Sequence, residues 1–223
     1  MRPITAMTAM TSTANRRRRQ RGSTIMEFAL VGPALILLFF GTVGTGITLG
    51  RYTQALSICR DLAHMYADGV DFSQTQNQNI AVQLAQGTGM TVNGGTGVVI
   101  FTRISTVYQA DCDASGYTAS CGNLGRAVIT QRLTVGNAAM KVSAFGTPTA
   151  GLMDSLGNIS PSVYLQNTDS SVQATNFTPL LTNAGATQQQ GDAAYVVEVY
   201  LPYADVSFLG FSTPPGAYVS YIF

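Results

Sequence analysis

The chain has 223 residues, only 10% of them charged, with one lysine, Lys141, and one histidine, His64. A phosphate loop of the GxxxxGK(S/T) type is excluded, because Lys141 follows Met140, and so is any metal site built on two histidines. Histidine-dependent hydrolase triads are disfavoured too, so no catalytic residue, cofactor or metal is expected.

The formal charge of +1 is unevenly spread. Arg2, Arg16, Arg17, Arg18, Arg19 and Arg21 occupy residues 1–22 without a single acid, whereas the remainder sets six basic residues against eleven acids, a net charge of −5. Arginine runs bind nucleic acid in some proteins. Here the run precedes an apolar stretch, which points instead to a cytoplasmic anchor of membrane orientation, with no nucleic-acid partner.

From Phe28 to Gly50 there is no charged residue. As a helix this stretch spans about 35 Å, enough for a hydrocarbon core of ~30 Å. An A-x-A-like site, the mark of a cleavable secretory signal, is not evident at its far end. A twin-arginine export signal is a rival reading of the arginine run. The orientation rule places residues 1–22 inside and everything after Arg51 outside. Pro33 removes a backbone donor and is expected to bend the helix or weaken its first turns. Glu27 sits at the mouth of the span, where a carboxylate carried to the bilayer centre costs up to ~2.5–3.5 kcal/mol. Either it stays at headgroup level or it pairs with a cation in an assembled state.

The string Arg21-Gly22-Ser23-Thr24-Ile25-Met26-Glu27-Phe28-Ala29-Leu30, followed by Pro33, resembles the class III leader of type IV pilin-like proteins. More closely, it is similar to the TadE-like pseudopilins of the tight-adherence (Flp pilus) system. The resemblance covers residues 16–66 well and the rest only loosely, as in the run at 191–198. It implies cleavage by a prepilin peptidase after Gly22, a new first residue at Ser23, and assembly roles for Glu27, Phe28 and Pro33. It further implies a bacterial inner-membrane protein, single-pass, with a cytoplasmic N-terminus and a periplasmic head that enters an extracellular pilus or stays in the membrane. The implied partners are the prepilin peptidase, other pilins or pseudopilins, the inner-membrane assembly platform and the lipid bilayer. The Gly/Thr-rich second half of the span departs from the family pattern and puts a continuous straight helix in question.

The same arrangement has a direct physical reading. A cut on the near side of the apolar stretch retains the helix and creates an amine on Ser23, four residues from the Glu27 carboxylate. Between subunits packed side by side, that amine and that carboxylate neutralise each other, and a matched charge pair in apolar surroundings is far cheaper than an isolated charge. Gly46 and Gly50 form a GxxxG spacing that permits close helix contact.

Tyr52, Leu56, Cys59, Ala63 and Tyr66 recur at spacings of four and three, predicting that the helix continues outside and packs on a head. His64 falls on its solvated side, and Asp68-Gly69 ends it. A short helix is predicted around Ile80–Gln86. Met90–Val92, the turn Asn93-Gly94-Gly95 and Val98–Tyr108 read as strand, turn, strand. Ala127–Val135 is a further strand, and Tyr195–Leu201 with Ala217–Ile222 a terminal pair. The fold class is α+β: a long N-terminal helix extending into an extracytoplasmic head with an antiparallel sheet. Four parts are expected: a basic cytoplasmic leader (1–22), a transmembrane helix (23–50), an extracytoplasmic helix extension (51–69) and the head (70–223). Residues 143–192, rich in Ser, Thr, Gly, Asn and Gln, read as a polar surface insertion.

Cys112 and Cys121 flank an eight-residue loop between two predicted strands, where a disulfide would staple a hairpin tip and persist in an oxidising compartment. Two free thiols or metal ligands are the alternative. Cys59 is left over as a small buried side chain. Asp111 and Asp113 read as solvated turn acids rather than calcium ligands. The function expected is that of a pseudopilin or minor pilin. The alternative is a signal-anchored extracytoplasmic binding or adhesive domain that does not polymerise.

Overall fold

The computed structural model describes residues 12–119, 121–168, 170–178, 181, 185, 187–203 and 216–223, with side chains from residue 25 onward. Arg2 and the side chains of Arg16–Arg21 lie outside the described residues, as do parts of the 143–192 segment.

Helix α1 runs unbroken from Ser12 to Ala67. It passes through Pro33, and the carbonyl that loses its partner there is one defect in a long ladder. The Gly/Thr-rich stretch, whose departure from the family pattern bears on the straightness of the helix, is helical as well. The hydroxyls of Thr42, Thr45, Thr48 and Thr53 donate to backbone carbonyls three or four residues back, at 2.8–3.0 Å. The helix stops where expected: Gly69 takes φ 89°, and Asp68 N–H and Val70 N–H close on His64 O and Met65 O.

Helix α2 spans Thr75–Leu84, earlier than its apolar residues suggest. Its polar first turn is tied down by side chains that periodicity cannot see: Asn77 Nδ2 donates to Asp71 O and Gln78 Nε2 to Phe72 O. Strands β1 (Met90–Thr91) and β2 (Gly94–Gly95) form a hairpin of only two pairs. The expected pairing of Met90–Val92 with the next strand is therefore incorrect. Gly97, at φ 117°, turns the chain away, and β3 (Val98–Thr106) finds longer partners. It lies between β4 (Ala127–Gly136) and β5 (Ala194–Pro202), and β5 pairs with β6 (Gly216–Ile222). The result is an antiparallel sheet of order β4-β3-β5-β6 in an α+β fold. β3 stops two residues before the expected Tyr108, because Tyr108 caps helix α3 (Gln109–Ala114).

Side chains alternate across a strand. On one face Val99 and Phe101 of β3, Leu133 and Val135 of β4, Val197, Val199 and Leu201 of β5, and Val219 of β6 meet α1. The docked stripe of α1 is Ala55, Ile58, Cys59, Leu62, Ala63 and Tyr66, whereas Tyr52 and Leu56, expected on it, are exposed. Spacings of three and four fit two overlapping stripes, and contact with the sheet begins only at Ala55.

The other face corrects the reading of 143–192 as a surface insertion. Phe145, Ile159, Ala174 and Phe177 pack against Ile104, Ile129 and Val196 as a second core. Its described residues include a 3-10 turn (Ala150–Leu152) and a one-turn helix, α4 (Pro161–Tyr164). It also covers the outer edge of β4: Arg132 N–H donates to Gly157 O, Ile159 N–H to Thr130 O, Ile129 N–H to Val172 O and Ala174 N–H to Ala127 O.

Candidate assembly site

Between Ile25 and Gly50, α1 leaves apolar side chains exposed all round its circumference, including Leu30, Leu37, Leu38, Phe39 and Leu49. Leu30 is 81% exposed, whereas Leu62, the same side chain about nine turns further along the helix but docked on the sheet, is 0%. A helix apolar on every side needs an apolar solvent. Among the described residues, Ile25–Ala67 is the one helix long and apolar enough to cross a membrane.

Glu27 sits near the start of this segment, exposed between Met26 and Phe28, and Phe28 and Pro33 are exposed too. Gly22 and Ser23 lie within α1, so the peptide bond between them is in helical backbone. Ser23 and Glu27, four residues apart in an unbroken helix, share a face. An amine at Ser23 and the carboxylate of Glu27 would therefore occupy one side of the helix, one turn apart.

Residues 22–64 match the family model described as TadE-like protein. Over those residues the chain is similar to that family. No curated protein and no solved structure matches the chain significantly.

The TadE-like segment begins at Gly22, includes Glu27 and the exposed apolar turns, and ends within the docked half of α1. It thus links the membrane-ready part to the head. The link is tight. Cys59 donates its thiol to Val197 O at 3.1 Å, and burial, aided by the negative charge of Glu198, pushes that thiol up to about 12. Tyr66 packs edge-on against Phe72, Phe101 and Tyr195 and donates to Gln131 Oε1 at 2.9 Å. His64 is exposed, its ring 4.7 Å from that of Phe223.

Beyond the TadE-like segment, Cys112 and Cys121 are joined in a disulfide with Cα atoms 5.9 Å apart. The staple does not close a simple hairpin tip: Cys112 belongs to α3 and is buried beside Val107, Val128, Leu165 and Val172. Asp111 accepts from Tyr108 N–H at 2.8 Å and caps α3, and Asp113 accepts from Gln109 Nε2. Among the described residues no group of three acids, histidines or cysteines is placed to hold a metal.

Glu198 escaped sequence reading. It is 1% exposed and points to the second face, where it accepts from Ala144 N–H at 2.8 Å, from Ser143 Oγ and from the Tyr218 hydroxyl. Buried Arg132 donates to Gly146 O at 2.9 Å, and its charge is offset by Glu198. Burial raises the Tyr218 phenol well above its ordinary range, and the bond to Glu198 raises it further. The available signal was an acid in the middle of the apolar run YVVEVYL.

Proposed function

We propose that this chain is a pseudopilin or minor pilin of a tight-adherence pilus. A prepilin peptidase cuts it after Gly22, α1 holds it in the inner membrane, and the sheet domain lies outside. The observation that carries this reading is a TadE-like segment starting at Gly22 and continuing into a helix with apolar side chains exposed on every side. The tight-adherence role follows from the family, and the residues supply a mechanism. Cleavage on the near side keeps the anchor and frees a Ser23 amine. In a bundle of such helices each Glu27 meets the amine of a neighbouring subunit, which cancels two charges that lipid would otherwise penalise. The pair therefore sets the register of packing, and the partners are other pilins, the assembly platform and the bilayer. The disulfide suits an oxidising exterior.

Expression with and without a prepilin peptidase, followed by N-terminal sequencing, tests the processing. The expected product begins at Ser23, and a mature N-terminus beyond residue 40 would defeat the proposal. Glu27→Ala is expected to be cut normally yet to enter the pilus poorly. Undiminished incorporation would remove the charge-pair argument, and complete absence of the wild-type chain from assembled fibres would favour the non-polymerising anchored domain.

A further inference from the structure

We infer that residues 41–50 of α1 are a hinge, placed at the outer boundary of the membrane, that lets the head tilt relative to its anchor. Four of these ten residues are glycine: Gly41, Gly44, Gly46 and Gly50. Apart from proline, no residue is a poorer helix former. Glycine inside a helix is commonly kept for close packing, yet a Cβ added at any of these four positions meets nothing within 4 Å among the described residues. The fold of the subunit therefore does not require them.

Their arrangement argues for bending rather than for one packing stripe. Gly41 precedes Cys59 by about five whole turns and shares the side on which the sheet sits, whereas Gly50 precedes it by about two and a half turns and faces the opposite way. Backbone is thus bared on both sides of the helix within about 14 Å of its length. Thr42, Thr45 and Thr48 add a second weakness. Their hydroxyls bond back to the carbonyls of Phe39, Gly41 and Gly44, a pattern that competes with the helix ladder and bends helices.

The position is suited to a hinge. About twenty residues of helix cross a hydrocarbon core. Counted from Ile25–Phe28, the core ends near Gly44–Ile47, where water and headgroups begin to satisfy loosened backbone groups. Docking on the sheet fixes the helix again from Ala55. The glycines occupy the interval between a part held by lipid and a part held by protein.

The inference requires α1 to lie in a bilayer but not that the chain be cleaved or built into a pilus, so failure of processing leaves it standing. The test uses the full chain in nanodiscs, in a Cys59→Ala background, with spin labels at Leu38→Cys and Leu124→Cys. The wild-type glycines are expected to give a broad distance distribution, and Gly41→Ala, Gly44→Ala, Gly46→Ala and Gly50→Ala combined a narrow one. In the same combined variant, amide exchange over 45–50 should slow by about tenfold or more, without change over 58–63. Equal distribution widths, or equal exchange at 45–50, would overturn the hinge.

Discussion

One face of the four-stranded sheet is closed by a regular helix and the other by irregular chain, and the two solutions differ in chemistry as well as shape. Under α1 the contact is almost wholly apolar, from Ala55 and Leu62 to Val199 and Phe101. Under residues 143–177 the apolar contacts surround Glu198, Arg132 and Thr102, all buried. A helix satisfies its own backbone and needs only apolar cover. Irregular chain brings free N–H groups to the interior, and these need acceptors. Glu198 supplies one for Ala144 N–H and gathers the Ser143 and Tyr218 hydroxyls at the same point.

If that contrast is right, the largest single effect lies on the irregular side. Glu198→Ala leaves three donors without their acceptor and Arg132 without its counter-charge, and is expected to cost about 3–5 kcal/mol. Glu198→Gln, which keeps the shape and an acceptor, should lose less. Urea unfolding of the detergent-solubilised chain, followed by the near-UV signal of its ten tyrosines, measures both. A loss under ~1 kcal/mol for the alanine variant would reduce the carboxylate to a bystander.

On the helical side, Leu62→Ala removes apolar packing without exposing a charge and should cost about 2–5 kcal/mol. Leu38→Ala, the same change on the same helix, should leave head stability within ~0.5 kcal/mol, because Leu38 is 65% exposed and touches no sheet residue in the core. Equal losses at the two positions would mean that the exposed apolar half of α1 is not separate from the head. Next in size is the staple at the end of the irregular cover. Cys112→Ser with Cys121→Ser opens a loop of sequence separation 9, and the expected loss is about 2.5 kcal/mol in the same assay.

The contrast also explains what was legible. The long apolar helix, its end at Asp68-Gly69 and the four long strands follow from charge gaps, helical spacing and β-branched runs, which depend on local pattern alone. The exact docked stripe was missed, because Tyr52 and Leu56 fit the spacing, but Tyr52 lies before the sheet contact begins at Ala55 and Leu56 falls beside the docked side of the helix. Residues 143–177 have no period, so nothing in their order announces that Phe145, Ile159 and Phe177 are core. Their burial depends on bridges such as Gln131 to Asn158 and Val128 to Gln173, which join residues distant in sequence. For the assembly site the position was reversed. Gly22, Ser23 and Glu27 are a local motif, readable without a fold, and the assembly role proposed for them rests on that motif.

Cys59 gives the smallest and most specific test, because it sits at the α1 contact and senses the charge on the opposite face. Burial is the main cause of its raised pKa and Glu198 the second. An unfolded thiol gives up its proton near pH ~9, and the folded one only near about 12. Below that window both states hold the proton, and the contribution to stability is complete. As pH rises through it, the unfolded chain releases a proton that the folded chain retains, so stability falls. Between pH ~9 and ~10 the expected loss from this one group is about 1 kcal/mol. The raised phenols of Tyr66 and Tyr218 add a similar decline at higher pH, since tyrosine ordinarily titrates near ~10. Cys59→Ala should therefore flatten the unfolding midpoint between pH ~9 and ~10 while leaving the steeper fall above it. An unchanged slope in that variant would show that the helix-to-sheet contact opens to solvent more readily than the irregular cover does.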